Sequence, residues 1–451
     1  MSFLQTSQDR SAGNRICGPA SERGIEAGGS LLCLIMARVL PALILLMALP
    51  ARPAATAEGE QKYKPAMSSQ QLEKKAKRLQ ALVEDKIVQD HGLIPMFVRA
   101  SDYKLPTAED YKGAYRHRHL KGKTEEELGL PPMHVWRAWE NTATDTAYYL
   151  AAMAYKYRCT GDPKDLAVSR RTFGALKYIY GLTAAKGERG RLCKPYGGVW
   201  SNQSSGDQTQ CVLWGLAAYR SIAPPADLAD YNRMIKEAAE YNIRTEYVEP
   251  HGYFGWTPEM LRAGNLGDEK WSKAGWSYAA IFLPQLNLAW QATGDPKLLR
   301  EIQRWYDACS DKRPGRGPQR DLYLGALLME MDPFHHEIWR GLVLGAFSAT
   351  SSSILPDGTH SRHVGRSAID AMGCATAQRW FPDVDMISVA RHILEKLDVD
   401  AFRFVRPGTK PAWAGAGDTL EQWAVESKLI DGDSLTAWLA AYWEGRWRGY
   451  W

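Results

Sequence analysis

The chain has 451 residues, 45% apolar and 24% charged, which excludes a disordered or collagen-like polymer and requires more than one small core. Lys and Arg total 56 against 51 Asp and Glu, so the net charge of +5 is slight for this length and gives no basic footprint for nucleic acid. Trp (17) and Tyr (21) far outnumber Phe (10), and such rings with a polar edge either fill cores or stack on ligands.

Residues 1–57 read as an address. Met36-Ala37-Arg38, the apolar run from Val39 to Leu49 and the small-residue site Ala55-Thr56-Ala57 have the layout of a secretory signal. Cleavage is expected after Ala57, leaving 58–451 as a single domain, with Met36 a better start than Met1. The run is about half the ~20 residues a membrane span needs, and nothing later approaches that length. The mature protein is therefore expected to be secreted or periplasmic, with no membrane partner. Cleavage removes five Arg and three acids, leaving 51 basic and 48 acidic residues, and spares Cys159, Cys193, Cys211, Cys309 and Cys374. An odd number of thiols at wide spacing matches neither a zinc cluster nor a disulfide-stapled scaffold.

Apolar residues recur at helical spacing over 70–90, 141–159, 163–181, 206–222, 226–246, 274–293, 296–309, 319–331, 334–351, 365–379, 383–397 and 433–446, and alternating strand patterns are scarce. Two turns repeat almost verbatim, Tyr157-Arg-Cys-Thr-Gly-Asp-Pro-Lys and Trp290-Gln-Ala-Thr-Gly-Asp-Pro-Lys. Gly161 and Gly294 suit a left-handed helix end, Asp162 and Asp295 the next N-cap, and Pro163 and Pro296 the first helical position. The connections after helices two, four, six, eight and ten are short, whereas those entering helices two, four, six, ten and twelve are long. Hairpins with their short turns at one end gather the long loops at the other, which predicts an all-α fold: an (α/α)6 toroid of six hairpins with its functional face at the long-loop end. Ala143, Ala147, Ala151 and Ala154 suit close packing of the second helix against inner neighbours.

Two acids stand in first helical turns at that end, Asp145 after Trp136-Arg-Ala-Trp-Glu-Asn-Thr-Ala-Thr and Asp207 after Gly198-Val-Trp-Ser-Asn-Gln-Ser-Ser-Gly. On neighbouring inner helices they would enter one cavity, as a general acid with a base or an electrostatic partner. Alternatively Asn141 or Thr142 and Ser204 or Ser205 cap the two helices and both acids merely favour positive helix ends. The alternatives differ physically, because a dipole-stabilised acid has a lowered pKa and a general acid a raised one.

Asp145-Thr-Ala-Tyr-Tyr-Leu-Ala-Ala-Met-Ala-Tyr-Lys-Tyr-Arg-Cys-Thr-Gly-Asp-Pro, followed 62 residues on by Asp207-Gln-Thr-Gln-Cys-Val-Leu-Trp-Gly-Leu-Ala, resembles the six-hairpin glycosidase superfamily. It is most similar to the unsaturated glucuronyl hydrolases and their unsaturated rhamnogalacturonyl relatives. The resemblance is clear over 140–222 and continues elsewhere as hairpin rhythm. It implies an (α/α) toroid that opens 4,5-unsaturated uronic sugars, with Asp207 protonating the vinyl ether and activating water, Asp145 as its close partner, and no metal or nucleotide cofactor. The residues that hold the uronate carboxylate in that family have no match here, so the resemblance bears on the fold more than on the sugar.

Aromatic residues on the long loops suit an oligosaccharide or polysaccharide partner, since ring faces pack on pyranose faces. Trp136, Trp139, Tyr196, Trp200, Tyr253, Phe254, Trp256, Trp271, Trp276, Trp413 and Trp423 all lie there, and many would simply plug the ring. Tyr196-Gly-Gly-Val-Trp200 and Tyr253-Phe-Gly-Trp256 are favoured as cleft lining, because Gly permits close approach. Trp139, Glu140, Asn141, Gln208, His251 and Trp276 join them as candidate substrate contacts. His360, Arg362, His363 and Arg366 could hold a carboxylate or sulfate, or be a solvated basic loop. Glu140, Asp370 and Asp418 are further candidate acids, while Arg116-His-Arg-His119 and His335-His336 lack any metal-ligand frame. Three functions fit: a hydrolase of acidic or unsaturated oligosaccharides using Asp145 and Asp207; a lyase or epimerase using Tyr253 or Tyr196 with His251; or a non-catalytic glycan-binding protein. The oligomeric state stays open.

Overall fold

The two near-verbatim turns fold alike. In each, glycine takes the left-handed conformation (φ 65° at Gly161, 68° at Gly294). The following Asp then caps the next helix through Lys164 N–H at 2.9 Å or Lys297 N–H at 2.8 Å, and Pro occupies the first helical position, where its missing N–H costs nothing. The computed structural model describes residues 63–112, 124–245, 247, 275–309, 321–332, 335–361, 366–398, 402–410, 414 and 418–451, all within one compact unit, Pro53–Trp451.

Among the described residues, twelve main helices alternate between two rings. They are α1 (Ser69–Leu82), α2 (Thr142–Thr160), α3 (Pro163–Ala184), α4 (Gly206–Arg220), α5 (Pro225–Arg244), α6 (Gly275–Thr293), α7 (Pro296–Cys309), α8 (Asp321–Met331), α9 (His336–Ser353), α10 (Arg366–Ala377), α11 (Met386–Lys396) and α12 (Gly432–Trp447). The even-numbered helices pack in the cyclic order α2, α4, α6, α8, α10, α12 and back to α2, and the odd-numbered ones pack outside them. The fold is thus an all-α (α/α)6 toroid. Each main helix lies within a few residues of its predicted span, apart from the last turns of the first, which wind as a π-helical segment, Val83–Ile87.

Burial separates the rings. The inner helix α2 buries every residue from Thr142 to Tyr155 and α12 every residue from Gly432 to Gly445. The outer helix α5 buries one stripe, including Tyr231, Met234, Ile235, Ala238, Ala239 and Asn242, at the spacing of a single helical face. The alanines of α2 do allow close packing: its Ala147 backbone lies against Gly215 of α4, where a methyl group would stand 2.9 Å from the Ala147 carbonyl carbon.

Two features had no pattern in the sequence reading. The strand β1 (Phe97–Arg99) pairs antiparallel with β2 (Leu429–Asp431), Phe97 opposite Asp431 and Val98 opposite Ile430. Beyond it, Gly432 N–H donates to Met96 C=O at 2.7 Å, so the ribbon fixes where α12 begins. A second small core of Met96, Phe97, Tyr111, Phe404, Val405, Trp423, Val425 and Leu429 packs around the ribbon.

Gly215→Ala is expected to lower stability by roughly 1–3 kcal/mol, because two inner backbones must move apart. Gly174→Ala, on an exposed stretch of α3 with open space around the new methyl, is expected to be neutral or stabilising by up to about 1 kcal/mol. Urea denaturation midpoints of the two variants check both signs.

Candidate active site

The first turns of α2, α4 and α12 meet at the long-loop end. Asn141, immediately before α2, ties three of them together. Its Nδ2 donates to Asp433 Oδ2 of α12 at 2.7 Å, and its Oδ1 accepts from Gln208 Nε2 of α4 at 3.2 Å. Gln208 Nε2 also donates to the Glu140 carbonyl. Neither Asn141 nor Ser205 caps its helix through its side chain, and Ser204 Oγ donates instead to Leu192 C=O at 2.7 Å, while the Asp207 carboxylate accepts from the first-turn Gln208 N–H at 3.1 Å, as the helix-end alternative expects.

Asp145 lies one turn into α2 with 0% of its surface exposed. Its neighbours are acidic: Asp433 and Asp431 lie close by, and the Cys211 thiol adds to the negative surroundings. Burial first, then Asp433, raise its pKa well above the carboxylate range. Asp431, held by Ser434 Oγ at 2.5 Å, is also pushed up, to about 8, by burial and then by Asp433. Gly432 makes this crowding possible, since a side chain there would meet Pro95 O at 2.6 Å and Asp145 Oδ2 at 3.0 Å. One turn deeper, Tyr148 OH, Cys211 Sγ and Tyr323 OH form a triangle with sides of 3.2–3.3 Å that closes the ring interior beneath Asp145.

Asp207 stands in the first turn of α4, half-buried, and its surroundings are of the opposite kind. The nearby Lys194 ammonium is buried with 1% of its side chain exposed and lies 3.6 Å from Glu140 Oε1. Burial lowers the Lys194 pKa, while Glu140 and Asp207 oppose that effect by favouring the charged form. Glu140 is held in turn by Arg137 Nη1 at 2.5 Å, and Arg137 Nε donates to Glu426 at 2.8 Å. Burial alone would lower the Arg137 pKa, but Glu426 and Glu140 outweigh it and raise it. The guanidinium packs between Phe97 and Phe404, about 5 Å from each ring centre.

The other predicted contacts divide. Glu140 and Gln208 are buried with internal partners, and Trp136, Trp139, Tyr196 and Trp423 are buried too. Among the described residues, these side chains pack into the loops and face little solvent. Trp200 is half-buried, with Lys186 Nζ 5.4 Å above its ring. The turn at Tyr196–Gly198 needs its glycines, with φ 66° at Gly197 and 80° at Gly198. His251, Tyr253, Phe254, Trp256, Trp271, Arg362, His363, Trp413 and Arg116–His119 lie outside the described residues, as does the side chain of Trp276 in α6.

Away from α2 and α4, the buried His360 lies 3.9 Å from Asp370 of α10, which also accepts from Thr350 Oγ1 at 3.2 Å. Arg366 opens α10. Asp418 is half-buried in a loop, its carbonyl accepting from Lys410 Nζ at 2.8 Å. His335 stacks on Tyr306 and bonds Asp332 in the turn between α8 and α9. Among the described residues no three His, Cys, Asp or Glu are grouped to hold a metal ion, and no helix is long and apolar enough to cross a membrane. Among the described residues no disulfide joins Cys159, Cys193, Cys211 or Cys374. The reading of the sequence missed Asp433, Asp431 and Lys194.

No protein-family model matches the chain, and no curated protein matches it in sequence. Two solved structures do. One is cellobiose 2-epimerase from Bacillus thermoamylovorans B4167, 13% identical over 67% of this chain and 87% of that one, with a TM-score of 0.40. The other is cellobiose 2-epimerase from Spirochaeta thermophila DSM 6192, 14% identical over 84% of this chain and 99% of that one, with a TM-score of 0.41.

Burial raises Asp370 from its ordinary 3.8 to about 7, with Arg366 and Thr350 opposing. The folded state therefore binds this proton more tightly than the unfolded chain does. Its contribution to stability is fully present below about pH 4 and is lost progressively as pH rises to about 7, by roughly 1.4 kcal/mol per unit. Asp370→Asn keeps the shape and removes the titration. Urea denaturation between pH 4 and 8 is expected to show the variant gaining on the parent as pH rises, and parallel curves would contradict the assignment.

Proposed function

We propose that this chain is an exported carbohydrate-active hydrolase of the six-hairpin type, acting on acidic or unsaturated oligosaccharides at the long-loop end of the toroid. The observation that carries the reading is the gathering of the buried Asp145, Asp433 and Asp431 in the first turns of adjacent inner helices, where burial and neighbouring negative charge raise the Asp145 pKa, with the half-buried Asp207 one helix away. Paired carboxyl groups whose surroundings push their proton affinities apart divide into acid and base.

In this reading the Asp145–Asp433 pair supplies the proton and Asp207 is the base. For a 4,5-unsaturated uronic residue, the proton adds to one carbon of the double bond while a water deprotonated by Asp207 adds to the other; the resulting hemiketal opens and releases the neighbouring sugar. For a saturated glycoside, the proton goes to the leaving oxygen and the activated water attacks the anomeric carbon. Each turnover consumes one water and needs no redox partner. This assigns to Asp145 and Asp433 the proton delivery that the sequence resemblance placed on Asp207. The signal-like segment Met36–Ala57 supports export, with 58–451 as the mature domain.

The test is incubation of the purified chain with lyase-generated unsaturated oligosaccharides and with intact acidic polysaccharides, following the double-bond absorbance. A fall in absorbance, or new reducing ends from saturated substrates, is expected. Asp207→Asn and Asp145→Asn should each reduce turnover by about 10²- to 10⁴-fold, the usual size of a general acid–base contribution. A rise in absorbance would make the chain a lyase, an isomerised sugar without cleavage an epimerase, and binding without product a glycan-binding protein.

Asp433→Asn adds a separate check. Without the second carboxylate, the Asp145 pKa falls, so the basic limb of kcat/KM, which requires the protonated acid, is expected to move to lower pH. An unmoved limb would remove Asp433 from the acid pair.

A further inference from the structure

We propose that Asn141 is a positioning residue of this site: its side-chain amide sets where the Asp433 carboxyl group stands against Asp145 and ties that pair, through Gln208, to the helix that carries Asp207. The inference rests on the acid–base reading of these acids.

The orientation of the amide follows from one backbone carbonyl. Glu140 C=O can only accept, so the end of Gln208 that bonds it is the Nε2 amino group. The same Nε2 lies 3.2 Å from the Asn141 side chain, and the atom it meets there must be an acceptor, Oδ1. With its oxygen committed to α4, Asn141 has Nδ2 left for α12, and this nitrogen donates to Asp433 Oδ2 at 2.7 Å. The chain of amides starts from a fixed point, because Glu140 is buried and its side chain bonds Arg137, which in turn bonds Glu426 at 2.8 Å. A flipped amide at either residue would set donor against donor or acceptor against acceptor, with no water to repair the loss.

The main chain completes the arrangement. Asp145 N–H donates to Asn141 C=O at 3.0 Å, so the amide and Asp145 belong to one helical turn. Across the seam, Gly432 N–H donates to Met96 C=O at 2.7 Å and places the α12 backbone. That backbone lies so close that a methyl group added at Gly432 would stand 3.0 Å from Asp145 Oδ2. The ribbon thus sets the α12 main chain, and Asn141 sets the Asp433 side chain. On the α4 side, Gln208 N–H bonds Asp207 Oδ1 at 3.1 Å. The residue whose side chain holds Asn141 therefore also holds the candidate base through its own main chain. An amide does not titrate, so these positions are kept whatever the protonation of the acids.

The experiment is a double-mutant cycle in kcat, measured on the full chain with lyase-generated unsaturated oligosaccharides. Asn141→Ala is expected to lower kcat by up to about 10²-fold, the scale of a misplacement by ~1 Å, with KM unchanged. In an Asp433→Asn background the same replacement is expected to cost nothing further, because the carboxyl group that Asn141 positions is already gone. Asp433→Asn keeps an oxygen that accepts from Asn141 Nδ2, so a merely structural tie would retain its full cost there. Equal losses in both backgrounds, or an unchanged kcat in Asn141→Ala, would overturn the proposal. Gln208→Ala, which removes the donor to Asn141 Oδ1 and leaves Asp433 in place, is a second variant: a loss in kcat that again vanishes beside Asp433→Asn is expected, and a change in KM alone would count against it. Should neither the parent nor any variant turn over sugar, the acid–base reading fails, and selective ¹⁵N labelling of asparagine decides the contact by itself. The Asn141 side-chain amide, assigned by its absence in Asn141→Ala, is expected to exchange its bonded proton slowly in the parent and faster in Asp433→Ala; equal exchange would overturn the tie.

Discussion

The contact between Asp145 and Asp433 is where the ring closes. The first inner helix, α2, and the last, α12, meet there, and two acids that would repel if both were charged hold the Asp145 pKa well above the carboxylate range. Buried carboxyl groups without cations are costly in ionised form, so the closure itself selects the protonated state. Several features of the neighbourhood serve this junction. Gly432 lets the first turn of α12 rest on Asp145, the β1–β2 ribbon fixes where that turn begins, and the Asn141 amide joins α2 to Asp433. Folding and acid chemistry depend on the same few atoms.

Much of the ring was legible in the chain because its signals are local. A helical period, a Gly-Asp-Pro turn and the alternation of short and long connections each act within a few residues, and the Gly161 and Gly294 turns fold as their residue types demand. The β1–β2 ribbon was not legible, because each strand has three residues and the partners are far apart in sequence. Asp433 was within reach: it occupies the first turn of the last inner helix, the position that marked Asp145 and Asp207. It went unnoticed because no aromatic or repeated motif surrounds it. Lys194 left no signal at all. In Cys-Lys-Pro-Tyr-Gly-Gly it reads as a turn residue, and its significance arises only from burial beside Glu140, which is set by packing between distant segments.

Aromatic composition misled for a related reason. A tryptophan on a long loop suits a sugar face and a loop core equally well. Trp136 and Trp423 have 0% exposure and Trp139 only 7%, so the described members of this group mostly hold the loops together. Long connections need such cores, because exposed loops with no apolar contacts would not keep carboxylates in register.

The site therefore has two electrostatic halves built from different material. On the α12 side, three acids and a thiol gather, with Arg137 opposing only weakly at Asp431, and the raised pKa values follow first from desolvation. On the loop side, Arg137 and Lys194 alternate with Glu426 and Glu140, and charge retention follows from pairing. Asn141 and Gln208 stand between them as neutral amides, able to bond to either side without favouring a charge on both. A charged residue at either position would couple the halves and draw their proton affinities together. Neutral linkers keep them apart, and that separation is what an acid and a base must have to work at one pH.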